Sequence, residues 1–260
     1  MQLLAISIGN SNLHIGIFQN ATLIAHWRAH TDSNKTADEY AVLFYECFDH
    51  AQIAPNQWHG AILVSVVPPL TPTIQRLCRE QFYLDPLMVN ANLKTGMPIR
   101  YENPRALGAD RVTSAVAAKE KYGTPVIVVD FGTAMTFNAV NRSGEFVGGA
   151  IAPGVNLAAD ALYQATAQLP RINLAVPPQA IATNTVHAIQ SGILFGYAGL
   201  VEGMVERLRK ELGEPKARVV ATGGRASLIA PQTRMIDVVD SELILHGLHS
   251  IYEMNVVKAS

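Results

Sequence analysis

The sequence predicts an α/β protein built from two similar halves, and three observations predict it. An apolar run, a polar glycine turn and a second apolar run open the chain in "LLAISIGNSNLHIGIFQN" (residues 3–20), and the pattern returns in "VIVVDFGTAMTFNAVNRSGEFVGGAIAPG" (residues 126–154). A shift of 123 residues carries Gly9 onto Gly132, Ser7 onto Asp130, Asn10 onto Thr133 and Ser11 onto Ala134. Segments with helical periodicity follow the strand-like runs in both halves, and a repeat at nearly half the chain length marks duplicated domains rather than a solenoid. The expected halves are residues 1–118 and 119–260, with their two polar turns facing a central cleft.

Each element has a local reason. Leu3–Ile8, Leu13–Gln19 and Thr22–Ala29 read as strands, the first two joined through Gly9 and Asn10. Thr36 and Glu39 stand at the spacing of a capping box, ahead of a helix that carries Tyr40, Leu43, Phe44, Cys47 and Phe48 on one face. A buried strand is expected at Ala61–Val67, stopped by Pro68 and Pro69, then a helix over Pro72–Phe82. After a loop, small residues pattern a helix over Ala109–Tyr122. In the second half, Ser143-Gly144 turns the second run into the third, Ala217–Ala221 is a strand leading into Thr222-Gly223-Gly224, and a last helix starts at Ser241. Gly192 and Gly196, then Gly199 and Gly203, recur four apart on a helix, which suits either ordinary packing or a close interface.

Composition narrows the class. With 49% hydrophobic residues among 260, the chain can bury a substantial core. Lys and Arg number 20 against 21 Asp and Glu and form no basic stripe, so a nucleic-acid partner has no electrostatic support, while a small anionic ligand stays open. Cys47 and Cys78 lack CxxC spacing and read as reduced core residues in a reducing, cytoplasmic compartment. No signal pattern opens the chain, and the most apolar helical stretch, Ile189–Val201, is 13 residues with Gln190 and Ser191 inside it, so no membrane span is expected.

No GxGxxG, no Gly-Lys phosphate loop and no histidine spacing for zinc is present. What remains is carboxylates beside glycine turns. Asp130 ends an apolar strand just before Gly132, where it either caps the turn or holds a cation next to phosphate oxygens. Asp110 opens a helix, as a cap or as a reactive carboxylate. The opening hairpin is either a plain hairpin or a cradle of N–H groups and short polar side chains for phosphates.

Taken in order along nearly the whole chain, "IGNSN", "GADR", "DFGTAMT", "GGAIAPG", "LPR", "NTVHAIQSG" and "TGG" resemble a type III pantothenate kinase. The resemblance implies the actin-like superfold of sugar kinases and chaperone ATPases, a homodimer, and ATP-dependent phosphorylation of pantothenate to 4′-phosphopantothenate at the start of coenzyme A synthesis. It further implies Mg²⁺ and a monovalent cation, K⁺ or NH₄⁺. On matching positions, Ser7, Ile8, Gly9, Asn10, Ser11, Asn12, Leu13 and His14 would cradle ATP phosphates with Thr133, and Asp130 would bind the monovalent cation. Tyr101, Gly108, Ala109, Asp110, Arg111 and Thr185 would meet pantothenate, with Asp110 accepting the hydroxyl proton. The sequence departs from the family pattern at Ser7 and Asn138, each standing where Asp is usual, and at Ala182-Thr183, where Gly-Lys is usual. Besides an active kinase, these departures leave open a non-catalytic nucleotide- or pantothenate-binding regulator and another small-molecule kinase or ATPase on the same superfold.

Overall fold

A computed structural model describes residues 2–54 and 58–256. The few other positions of the two expected halves lie outside the described residues. Contacts divide the chain into two units: residues up to Met97, Glu102–Ala117 and those from Leu243 form one, while Pro98–Tyr101 and Ala118–Glu242 form the other.

In the first unit the elements run β1 (Gln2–Ile8), β2 (Asn12–Gln19), β3 (Thr22–His30), α1 (Ala37–His50), β4 (Trp58–Ser65), α2 (Thr71–Phe82) and β5 (Leu87–Met88). The sheet order is β3-β2-β1-β4-β5, with β1 to β3 an antiparallel meander and β4 and β5 parallel to β1. The capping box forms: Glu39 N–H donates to Thr36 Oγ1 (3.3 Å) and Thr36 N–H to Glu39 Oε2 (2.8 Å). The predicted face of α1 packs with α2 onto Leu4, Ile6, Ile8, Leu13, Ile15 and Ile17, all buried. Each such fully buried apolar side chain contributes roughly 1.5–3 kcal/mol. Cys78 belongs to this core, and burial pushes its thiol up to about 12. The fourth strand differs from expectation, running from Trp58 and stopping at Ser65 rather than Val67. Ser65 Oγ accepts Val67 N–H (3.1 Å) and the Thr71 hydroxyl (2.7 Å), turning the chain before the prolines.

Past a one-turn 3₁₀ helix at Pro104–Ala106, α3 spans Ala109–Tyr122 as the small-residue pattern predicts, and the division between the units falls inside it. The second unit then holds β6 (Val126–Phe131), β7 (Ala134–Val140), β8 (Phe146–Pro153), α4 (Val155–Ala165), α5 (Thr185–Leu212), β9 (Arg218–Thr222), α6 (Ala226–Ile229), a 3₁₀ turn at Ala230–Gln232 and β10 (Val238–Val239). Its order, β10-β9-β6-β7-β8, repeats the first sheet strand for strand: an antiparallel meander followed by two parallel strands. The duplication inferred from glycine positions is therefore a duplication of topology.

Two expectations need correction here. The apolar stretch expected to be 13 residues is α5, 28 residues from the Asn184 N-cap to Gly213 at φ +68°, and by length and composition it is long and apolar enough to cross a membrane. Its hydropathy has a local cause: Ile189, Ile193, Leu194, Tyr197, Val201 and Val205 pack on Ile127, Val129, Phe131 and Phe137 in the core of the second unit. The last helix, α7 (Leu243–Asn255), begins two residues after Ser241 and groups with the first unit, although sequence order puts it in the second half. It lies on the face of the first sheet opposite α1, where glycines make room for it: Gly16 meets Leu245 and Gly60 lies under the Tyr252 ring.

Candidate active site

Each glycine turn follows the first strand of its sheet. In the first unit, Gly9, Asn10 and Ser11 connect β1 to β2. Gly9 N–H donates to the Asn12 carbonyl (3.0 Å), and the Ile8 carbonyl accepts Val66 N–H (3.0 Å). Thr31, the residue after β3, closes over the turn with its N–H on the Ser11 carbonyl (3.1 Å) and its hydroxyl on the Gly9 carbonyl (2.7 Å). Asn10 and Asn12 are exposed, whereas Ser7, opposite His14 in the ladder, is only 5% exposed. The opening turn thus faces outward from a buried strand end whose last polar group is a neutral hydroxyl.

The second turn is one residue shorter, with Gly132 and Thr133 exposed between β6 and β7. Asp130 is in register with Thr136 on β7 and Thr222 on β9. Gly223, at φ +90°, packs against Asp130 Oδ1, and a methyl group added to it would stand 2.8 Å from Phe131 N. Only glycine fits both that conformation and that approach. Gly154 N–H donates to the Thr133 carbonyl (3.1 Å), and a methyl there would collide with the carbonyls of Gly132 and Thr133. Asn138 is buried on the Asp130 face of the sheet and donates to Thr136 Oγ1 (3.1 Å). Its amide is thereby built into the strand.

At the start of α3, Asp110 is the second helical residue rather than the cap, and its Oδ1 accepts Arg111 N–H (2.8 Å). Burial pushes the Asp110 carboxyl above the usual carboxylate range, partly offset by the Arg111 N–H and guanidinium. A methyl on Gly108 would stand 2.5 Å from Asp110 Oδ1, so this glycine leaves the carboxylate its place. Arg111 is 9% exposed, unusual for a guanidinium without a function in charge recognition.

The other expected residues are more dispersed. Tyr101 packs edge-on against Phe146 (ring centroids 6.4 Å apart), at the end of β8 away from Pro153 and the second turn. Thr185 is the exposed first residue of α5, beside the Asn184 cap that accepts His187 N–H (2.9 Å). Among the described residues no three His, Cys, Asp or Glu gather as a metal site. Thr31 and Gly154 escaped the sequence reading as turn supports. The signal was available, since the same shift of 123 residues carries one onto the other.

Comparison with known proteins decides the family. Residues 3–207 match the profile of the type III pantothenate kinases. The type III pantothenate kinase of Citrifermentans bemidjiense is 49% identical over 253 residues, 97% of this chain and 99% of that one. That of Roseiflexus castenholzii is 50% identical over the same shares. The chain belongs to the type III pantothenate kinase family. Among solved structures, a conserved putative Baf family transcriptional activator from Campylobacter jejuni superposes with a TM-score of 0.62 at 18% identity, over 96% of this chain and 97% of that one. The Acidaminococcus fermentans (R)-2-hydroxyglutaryl-CoA dehydratase component A gives 0.54 at 12%, covering 97% of each chain. A putative N-acetylmannosamine kinase from Listeria monocytogenes gives 0.51 at 13%, over 98% of this chain and 100% of that one. These likenesses establish the fold, that of actin-like ATPases and sugar kinases, for this type III pantothenate kinase family member.

Proposed function

We propose that the chain transfers the γ-phosphoryl group of ATP to the primary hydroxyl of pantothenate, forming 4′-phosphopantothenate and ADP for coenzyme A synthesis, in the cytoplasm. Family membership supplies the reaction, and the observation that carries it to particular atoms is the half-buried Asp110 carboxylate, held by the Arg111 N–H beside a buried guanidinium at the start of α3. Asp110, its proton affinity raised by burial, takes the hydroxyl proton as the pantothenate oxygen attacks phosphorus in line. The bond from phosphorus to the bridging oxygen breaks, and its electron pair leaves on ADP. Arg111 offsets the charge gathered there or pairs with the pantothenate carboxylate. Thr185, the first residue of α5, and Tyr101 are further candidate contacts to pantothenate.

The two turns take the phosphates. Ser7 to His14 provide N–H groups and short polar side chains, and Thr133 adds a hydroxyl. The donor chemistry fits a monovalent cation at Asp130, and a Mg²⁺ ion held mainly by phosphate oxygens and water, since Ser7 and Asn138 are neutral. Bound Mg²⁺ would neutralise charge developing on the phosphates. Replacing Ser7 by Asp should lower the Mg²⁺ concentration needed for half-maximal rate while leaving turnover equal or higher. Initial rates of pantothenate-dependent ADP release across a Mg²⁺ series measure this, and an unchanged requirement or lost activity removes Ser7 from the metal-facing position.

A homodimer is part of the proposal. Ile151 (64% exposed), Leu157, Leu162, Tyr163, Val176 and Ile181 (83% exposed) lie open on the second unit. Among the described residues a methyl on Gly192, Gly196 or Gly199 would meet no atom within 4 Å, so these three glycines leave an open strip on α5. Exposed apolar side chains and an uncovered glycine strip on one unit suit a subunit interface. Sedimentation velocity should give a dimer at micromolar concentration, and a monomer throughout contradicts it.

A further inference from the structure

The two turns share a fastening. In the first unit the residue after the third strand is Thr31, whose N–H holds the Ser11 carbonyl at 3.1 Å. In the second unit the equivalent residue is Gly154, whose N–H holds the Thr133 carbonyl at the same 3.1 Å. A buried tyrosine steadies each: Tyr40 OH donates to the Asp32 carbonyl (2.9 Å) and accepts Asp32 N–H (3.0 Å), next to Thr31, and Tyr197 OH donates to the Pro153 carbonyl (2.7 Å), next to Gly154. The fastening is thus duplicated with the fold, but only the first copy has a side chain. Thr31 Oγ1 reaches the Gly9 carbonyl at 2.7 Å, whereas in the second copy the carbonyls of Gly132 and Thr133 come so close that no side chain fits.

We propose that Thr31 is a positioning residue for the nucleotide: its hydroxyl holds the longer first turn in the shape that receives phosphate, as Gly154 does for the second turn by backbone alone. The inference rests on the reading of the first turn as a phosphate cradle. A phosphate oxygen is repelled by any carbonyl that swings toward it, and a three-residue turn has more freedom to swing than a two-residue one. In the first turn the carbonyls of Gly9, Ser11 and Asn12 are all held inside the chain, by the Thr31 hydroxyl, Thr31 N–H and Gly9 N–H. Removing the hydroxyl releases the Gly9 carbonyl and leaves the backbone bonds in place.

The test compares Thr31→Val, which keeps the shape, and Thr31→Ser, which keeps the hydroxyl, with the parent. For Thr31→Val the KM for ATP should rise about five- to fifty-fold, as for loss of one part-buried hydrogen bond and its pre-organisation. The KM for pantothenate should stay within about twofold, and Thr31→Ser should restore the ATP value to within about threefold. A merely structural role would move both KM values together. An unchanged KM for ATP, an equal rise for both substrates, or a Thr31→Ser variant as impaired as Thr31→Val overturns the proposal. If Thr31→Val does not fold, Thr31→Ala is read by the same split. A parent that neither binds nor uses ATP instead overturns the phosphate-cradle reading beneath it.

Discussion

Asp110→Asn should lower turnover by about 10²–10⁴-fold, the usual range for losing a general base, while ATP affinity measured by calorimetry changes little. The amide keeps the size of the carboxylate and can still accept Arg111 N–H, so the start of α3 survives. Stability gives an independent signature. Because burial raises the Asp110 pKa in the fold, the native state holds a proton that the unfolded chain has already released. Stability from this group is therefore greatest at low pH and is lost as pH rises from the ordinary carboxylate value through the raised one. At neutral pH the buried charge is a cost, so Asp110→Asn should melt at the same temperature as the parent or higher. In the parent, kcat/KM should fall on the acid side with an apparent pKa above that of an ordinary Asp, and the variant's residual rate should lack that limb. A variant keeping more than about a third of the parent rate would reduce Asp110 to a structural residue at the start of α3.

The second large effect is expected at Asp130. With Ser7 neutral, Asp130 is the carboxylate at the two strand-end turns, packed against the Gly223 backbone. Asp130→Asn should abolish stimulation by K⁺ or NH₄⁺ and weaken nucleotide binding by about tenfold or more, as expected when a cation loses its anionic ligand. Rates titrated with KCl at fixed ionic strength measure this, with a non-activating salt as balance. A variant whose K⁺ titration superposes on that of the parent would remove the cation from Asp130.

What was legible in the sequence was what local chemistry decides. The capping box at Thr36 and Glu39, the bounds of α3 and the two glycine turns each depend on residues within a few positions of one another, and each formed as read. The repeat was legible because Gly9 and Gly132 recur in the same register, each where an added methyl would crowd a carbonyl of its turn, at 3.1 Å from Asn12 O and 3.3 Å from Ala134 O. Two features were not legible, for nonlocal reasons. The return of α7 to the first sheet depends on seats at Gly16 and Gly60, more than 180 residues upstream. The end of β4 at Ser65 depends on a hydroxyl pair with Thr71. In the candidate site, Asp110 and Asp130 could be named from motif order, but the burial that tunes Asp110 and the closure of the first turn by Thr31 exist only in the folded chain.

Phosphoryl transfer to pantothenate has to proceed here with neutral residues at Ser7 and Asn138. The most direct test incubates the purified chain with ATP, Mg²⁺, K⁺ and pantothenate, and follows both ADP and pantothenate by mass spectrometry. One ADP should form for each pantothenate that gains a single phosphate on its primary hydroxyl, with no comparable ADP when pantothenate is left out. Binding of ATP and pantothenate without phosphorylated product, or ADP release indifferent to pantothenate, would contradict that transfer.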